Sequence, residues 1–483
     1  MLLERKFGVN SFLTSLLFFP GAASCSLPEN QSSEKPNFII IFTDDLGYGD
    51  LGCYGSTIHE TPNINKLSEY GTRFTDFYAA SPVCTPSRAS LLTGCYPQRV
   101  DMHVNEKPRD EFRAVLTPLS PKGLNPQEIT IAEVLKTKGY ATACIGKWHL
   151  GDQKPFWPEK HGFDYFYGIL FSHNQGTEDC PLAIFEQDEL VEFPVDIPML
   201  TKKMTGKAVE FINKNADSPF FLYLPHPMPH FPLAASDEFK GSSSDGIYGD
   251  AISEIDWSVG VIMKELEKLD LVNNTMIVFT SDNGGEGRGG WVKGGLNHPL
   301  RGHKGQTWEG GMRVPCIIQW PGIVPSGKVC KELATEMDLL PTLAGIVGAR
   351  DQLKNTIDGH DIYSLMKYPE SEKSPYDVFY YYDRDQLQAI RWKNWKLHLK
   401  QEHGRYPAAW ENYTESFPDF ELYDLDRDPT ETWNVAGDYP AVLDSILVYK
   451  DTAIEVLGDL NRQGSGIRKA GFVDSVYCIQ EKY

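Results

Sequence analysis

Two regimes of apolar and polar patterning divide this chain. Up to about Ser364, short unbroken apolar runs alternate with longer stretches of helical spacing. Asn37-Phe38-Ile39-Ile40-Ile41-Phe42 is one such run, as expected of a parallel strand covered on both faces. Residues 129–138 have helical spacing, Gly139 closes them, and 140–145 read as the next strand. Residues 220–224 are another strand, and 252–269 form a long amphipathic helix leading to a strand at 276–280. This order predicts an α/β fold with a mainly parallel central sheet sandwiched by helices. No internal repeat is present. Beyond Ser364 the pattern turns aromatic and alternating at 378–382 and 387–399, with a break at Lys393-Asn394, which predicts antiparallel hairpin strands. A helix around 441–457 closes this part, and 371–375 read as a linker. The expected division is a catalytic domain over 37–364 and a small C-terminal α+β domain over 365–483.

The N-terminus follows a different logic. Arg5 and Lys6 precede an apolar run at 12–19 and then Gly21-Ala22-Ala23-Ser24-Cys25, the charged, apolar, small-residue order of a secretory signal. The run is too short to span a bilayer. Residues 1–24 are therefore expected to be a signal peptide and 25–36 a polar tether. Ala-Ala-Ser-Cys also resembles a lipoprotein cleavage site, with Ala22 where leucine is usual. Lipidation of Cys25 and simple secretion both stay open, so the expected location is periplasmic, extracellular or lipid-anchored at the envelope. A net charge of −20 argues against a general nucleic-acid binder and against broad attraction to anionic lipid. If the substrate is an anion, positive charge has to be concentrated in one pocket. The nine cysteines show neither a zinc pattern nor a disulfide scaffold, and most are expected to be buried thiols.

Three strand-like runs end in polar residues: Thr43-Asp44-Asp45-Leu46-Gly47, Gly146-Lys147-Trp148-His149-Leu150-Gly151 and Ser281-Asp282-Asn283-Gly284-Gly285. In an open α/β sheet, ligands bind outside the carboxyl ends of the strands, so these groups can converge. Adjacent carboxylates repel unless a cation holds them. Asp44, Asp45, Asp282 and Asn283 offer an oxygen-only shell suited to Ca²⁺, with Mg²⁺ second. A helix cap or turn is the structural alternative for either pair alone.

Cys84-Thr85-Pro86-Ser87-Arg88-Ala89-Ser90-Leu91-Leu92-Thr93-Gly94 resembles the signature of the type I sulfatases, a family of the alkaline-phosphatase superfamily whose cysteine is oxidised to formylglycine. Gly146–Gly151 is similar to that family's Lys/His segment, and the stretch from His303 to Gly311 resembles its sulfate-binding lysine segment, with Lys304. Glu421-Leu422-Tyr423-Asp424-Leu425, Asp428-Pro429 and Glu431 resemble its C-terminal segment. Tyr167-Gly168 and Ser172-His173-Asn174-Gln175-Gly176 resemble the arylsulfatase A branch. The resemblance implies hydrolysis of a sulfate ester by residue 84 as formylglycine, itself a ligand of one Ca²⁺, after a maturation enzyme has acted. It assigns Arg88, Lys147, His149, His230 and Lys304 to catalysis and Ser172 to substrate contact. It further implies that Asp282 assists the attacking hydroxyl, His230 or Lys304 protonates the leaving oxygen, and His149 releases sulfate. Of the two loop histidines, His230-Phe231-Pro232-Leu233 fits the family better, while His226 sits nearer the strand end. His226 is kept as a substrate-side residue, as is Trp291, which lies with Arg288, Lys293, His298 and Arg301 in a glycine-rich stretch suited to an anionic sugar.

The expected substrate is a sulfated sugar or polysaccharide fragment, such as one from algae, or a simple aryl sulfate. Two rival readings are a phosphonate or phosphodiester hydrolase of the same superfamily and an inactive, calcium-stabilised carbohydrate-binding protein. The Lys147, His149 and Lys304 segments disfavour the first. The second would be expected to have lost catalytic positions, and none is missing.

Overall fold

A computed structural model describes residues 35–105, 114–287, 294–400, 420–460 and 462–478. Among them, ten strands form one large sheet: β1 (Asn37–Thr43), β2 (Thr72–Phe74), β3 (Ala141–Lys147), β4 (Tyr165–Ile169), β5 (Ile184–Glu186), β6 (Glu189–Glu192), β7 (Phe220–Pro225), β8 (Thr275–Ser281), β9 (Cys316–Gln319) and β10 (Lys328–Cys330). Their order across the sheet is β10-β2-β9-β8-β1-β7-β3-β4-β5-β6. The middle five, β8-β1-β7-β3-β4, are parallel. Antiparallel strands flank them, β9 on one side and the β5–β6 hairpin on the other. The sheet is thus more mixed than the apolar runs predicted, because its flanking strands are too short to register as patterns.

Every residue of β1 is buried, which its unbroken apolar run anticipates for a strand with helices on both sides. One face packs on α2 (Cys84–Thr93), α3 (Ile131–Lys136) and α6 (Leu339–Ile346). The other packs on α1 (Pro62–Glu69), α4 (Leu200–Lys214) and α5 (Gly246–Lys268). The helix α3 is shorter than its spacing suggested. Thr130 and Glu133 form a capping box that fixes its start at Ile131, two residues later than the apolar period.

The C-terminal part folds as predicted into an antiparallel sheet, β11 (Val378–Asp383), β12 (Gln386–Trp392), β13 (Trp395–Leu399) and β14 (Phe420–Asp424), with α7 (Pro440–Leu457) laid across it. Trp392 pairs with Trp395, so the turn falls at Lys393-Asn394. Its inner face, including Phe379, Tyr381, Ile390 and Leu422, packs on Tyr78, Tyr96, Met312 and Met337 of the larger part. All eight described cysteines are free thiols, and all but Cys53 are buried. No helix among the described residues is long and apolar enough to cross a membrane. Cys25 and Trp291 lie outside the described residues, as does the expected signal segment.

Strand β3 reaches the active end of the sheet past a tight backbone contact. Gly146 is paired with Gly168 of β4, and a Cβ on Gly146 would lie 2.1 Å from the Pro225 carbonyl oxygen. Gly146→Ala is expected to force the strands apart just before Lys147. The cost should be about 1–3 kcal/mol, read as a lower urea midpoint with an unchanged m value.

Candidate active site

Four neighbouring parallel strands deliver their polar ends to one place. β1 ends in Asp44 and Asp45, β8 in Asp282 and Asn283, β3 in Lys147 followed by His149, and β7 in Pro225 and the loop to His230. Asp45 and His149 take left-handed backbone angles, φ 67° and 59°, turning the chain sharply at the strand ends. Cys84 is the first residue of α2, so the positive end of that helix faces the cluster. Ser87 anchors this turn through a 2.8 Å bond to Glu336, which also accepts the Ala80 amide at 2.9 Å. Gly94, at φ 66°, ends the helix, explaining why the motif closes on glycine.

The side chains interlock. Lys147 Nζ lies 2.5 Å from Asp44 Oδ2, and Cys84 Sγ is 3.4 Å from Asp44 Oδ1. Arg88 donates to Asp282 Oδ2 at 2.8 Å and to the Lys147 carbonyl at 3.0 Å. Lys304 donates to Asp45 at 2.7 Å and to Glu286 at 3.0 Å. The Asp45 amide donates to Asp282 Oδ1 at 3.1 Å, and Asn283 Nδ2 donates to Asp45 Oδ1 at 2.8 Å. His230 Nε2 stands 3.7 Å from Asp45 Oδ2, with its Nδ1 on the Phe231 carbonyl.

These contacts sort the protonation states. Burial alone would raise Asp44, but Lys147 foremost, with Arg88 and Lys304, holds it well below the usual carboxylate range. Asp45 is pushed well up by burial and by the neighbouring Asp44 and Glu286, against the pull of Lys304. Asp282 rises to about 6 through burial and Asp44. Burial and Asp44 push the Cys84 thiol up, so the unmodified side chain is a thiol and a poor nucleophile. Burial, followed by Lys147 and Arg88, keeps His149 neutral.

Ligand atoms of Asp44, Asp45, Cys84 and His230 all lie within 4.8 Å of one another. Asn283 Oδ1 is buried without a hydrogen-bond partner among the described residues. Among the described residues, the acids Asp44, Asp45, Asp282 and Glu286 face Arg88, Lys147 and Lys304 as permanent cations. A partnerless amide oxygen beside an excess carboxylate suits a hard cation.

The remaining expected residues divide. His149 Nε2 bonds to the Leu116 carbonyl at 2.9 Å, which fixes the proton on Nε2 and leaves Nδ1 bare, with no partner among the described residues. The Ser172 hydroxyl is buried and has no partner among the described residues, and the neighbouring His173 ring packs 5.5 Å from His230. His226 points elsewhere. Its Nε2 bonds to Ser258 on α5 at 3.1 Å, so it packs the loop rather than lining the pocket. Arg301 is also committed elsewhere, stacking 3.8 Å over Trp308 and donating to the Glu431 carbonyl at 2.7 Å. Two partners escaped the sequence reading. Glu286 follows the Asp282 segment directly, four residues after Asp282, and could have been suspected from that position, whereas nothing in the sequence singles out the Leu116 carbonyl.

A parallel sheet whose strand ends gather acids, cations and a helix-borne cysteine defines an alkaline-phosphatase-like hydrolase site for an anionic ester. The comparisons with known proteins are specific about which. Residues 36–349 match the Sulfatase family model, and 303–446 match that of the N-sulphoglucosamine sulphohydrolase C-terminal region. Human arylsulfatase A is 37% identical over 455 residues, covering 86% of this chain and 87% of that one. Human steryl-sulfatase is 34% identical over 454 residues, covering 78% and 76%. The solved structure of Ps i-CgsB in complex with k-i-k-neocarrahexaose superposes with a TM-score of 0.73 at 31% identity, covering 87% of this chain and 92% of that one. The chain belongs to the sulfatase family and is a hydrolase of sulfate esters.

The Arg88 contacts predict a large stability effect. Arg88→Met removes the guanidinium that pairs with Asp44 and Asp282 and leaves buried charge uncompensated, at a cost of about 3–5 kcal/mol in urea unfolding. Arg88→Lys should recover only part, because an ammonium cannot reproduce the forked contact.

Proposed function

We propose that this enzyme removes sulfate from a sulfated sugar or polysaccharide fragment outside the cytoplasm, using formylglycine made from Cys84 and one bound Ca²⁺. The observation that carries this reading is the meeting of Cys84 with Asp44, Asp45 and His230 inside a ring formed by Arg88, Lys147 and Lys304. Asp44, Asp45, Asp282 and Asn283, with residue 84 once modified, would hold the cation. When bound, the ion would neutralise negative charge on the sulfate oxygens.

The chain's own groups then divide the work. A hydrated formylglycine has two hydroxyls. One attacks sulfur as its proton passes to Asp282, and the bond from sulfur to the ester oxygen breaks. Lys147 and Lys304 stabilise charge on the transferring group. Lys304 is the better donor to the departing oxygen, because Asp45 and Glu286 keep it protonated despite burial. His230, neutral through burial and the nearby Lys304, offers a lone pair instead. Bare Nδ1 of His149 then takes the proton of the second hydroxyl, the carbon–oxygen bond to sulfate breaks, and the aldehyde re-forms. A plain cysteine has no second hydroxyl and would stall as a covalent adduct.

The sugar assignment rests on the expected export signal, on the glycine-rich stretch with Trp291, and on likeness to a structure holding a carrageenan oligosaccharide. His173, whose ring packs on His230, and its neighbour Ser172 are the proposed substrate contacts.

Two experiments test this reading. Mass spectrometry of the Cys84 peptide, from a host able to mature sulfatases, should show the aldehyde or its hydrate, and turnover should scale with that fraction. Full activity from an all-thiol preparation would overturn it. Chelation followed by dialysis should abolish aryl sulfate turnover and lower Tm. Ca²⁺ at about 100 times its Kd should restore about 2.7 kcal/mol of stability, and Asp45→Asn should blunt that gain. Activity that survives chelation would remove the metal from the scheme.

A further inference from the structure

We propose that Glu431, on the segment following β14, is a positioning residue for Lys304, because it grips both feet of the loop that carries the lysine. The loop runs from Arg301 to Gly310 and is closed on itself by the Gly310 amide on the Arg301 carbonyl at 2.7 Å. Lys304 stands in its turn, where the Gln306 amide bonds to the His303 carbonyl at 3.1 Å. At one foot, the Arg301 guanidinium donates to the Glu431 carbonyl at 2.7 Å. At the other, the Glu309 amide donates to Glu431 Oε2 at 2.7 Å. A single residue from the C-terminal part thus sets the position of both ends.

The grip is itself braced. Glu431 Oε1 faces Lys396 Nζ at 2.9 Å and His398 Nε2 at 2.8 Å, both from β13. Lys396 spends its remaining donors on the Thr307 carbonyl at 2.8 Å and Glu309 Oε1 at 2.9 Å, again within the loop. Glu309, Lys396 and Glu431 are fully buried. Burying two carboxylates around one ammonium is a costly way to hold two layers together, where apolar residues would serve as well. Glu431 also sits at φ 51°, a left-handed angle that costs a non-glycine residue free energy. Burial pushes its carboxyl up to about 7, whereas Lys396, Arg313 and Arg391 hold Glu309 down at about 2 against the effect of burial. What this arrangement fixes is the place of one ammonium group, 2.7 Å from Asp45 and 3.0 Å from Glu286.

The inference rests on Lys304 acting on the ester in the first step, and its test separates the two. Phenyl sulfate and 4-nitrophenyl sulfate would be compared on wild type, Lys304→Ala, Glu431→Ala and the double variant, each normalised to its formylglycine content. A reacting group displaced by about 1 Å loses roughly 100-fold, so Glu431→Ala should lower kcat on phenyl sulfate by about 30- to 100-fold with little change in KM. On the nitrophenyl ester, whose leaving group needs little help, the loss should be about threefold or less. The double variant should be no slower than Lys304→Ala, within about twofold, because both changes remove one function. If Glu431→Ala does not fold, Arg301→Ala cuts a single foot and should show the same dependence on leaving group. Losses that multiply in the double variant, or that are equal for the two esters, would overturn the positioning role. A Lys304→Ala enzyme as fast as wild type on both esters would overturn the role given to Lys304, and the inference with it.

Discussion

Everything at the active end of this sheet follows from putting carboxylates where water cannot reach them. Asp44, Asp45 and Asp282 leave two adjacent parallel strands side by side and are fully buried. Ionised acids so placed are tolerable only when opposite charge is brought to them, and each cation arrives from a different part of the chain: Arg88 from a helix, Lys147 from a third strand, Lys304 from a loop. The same charges are what a sulfate ester needs around it. The requirement for stability and the requirement for chemistry are met by one set of contacts, so a change made for either reason disturbs both.

Much of this was legible beforehand because the signals are local. The apolar run of β1 stops abruptly at Thr43-Asp44, that of β8 at Ser281-Asp282, and the Cys84 segment carries its own helix start and its own stop at Gly94. Such features depend on neighbours in sequence, which a single chain displays. Three strands of the C-terminal sheet announced themselves through alternation and a turn at Lys393-Asn394 for the same reason, whereas the fourth, Phe420–Asp424, did not.

What escaped depends on partners far away. Arg301 looked like a substrate contact because its commitment to the Glu431 carbonyl spans 130 positions. His226 and His230 lie in one proline-rich loop, and only the Ser258 hydroxyl on α5 decides that His226 turns inward. The flanking strands Cys316–Gln319 and Thr72–Phe74 are too short to carry a period. The bare nitrogen of His149 is set by a backbone carbonyl, a group every residue possesses and no composition can flag.

The depth of Cys84 would impose an order of events on the proposed maturation. The residue is 2% exposed, at the first turn of α2. An oxidising enzyme would need its own active site around a sulfur that the finished fold covers. The proposed conversion of the thiol would therefore belong to the interval before α2 docks. Folding and maturation would then compete for the same stretch of chain, and molecules that fold first would be locked out. The yield of active enzyme would become a kinetic quantity, set by how long that window stays open rather than by how stable the product is.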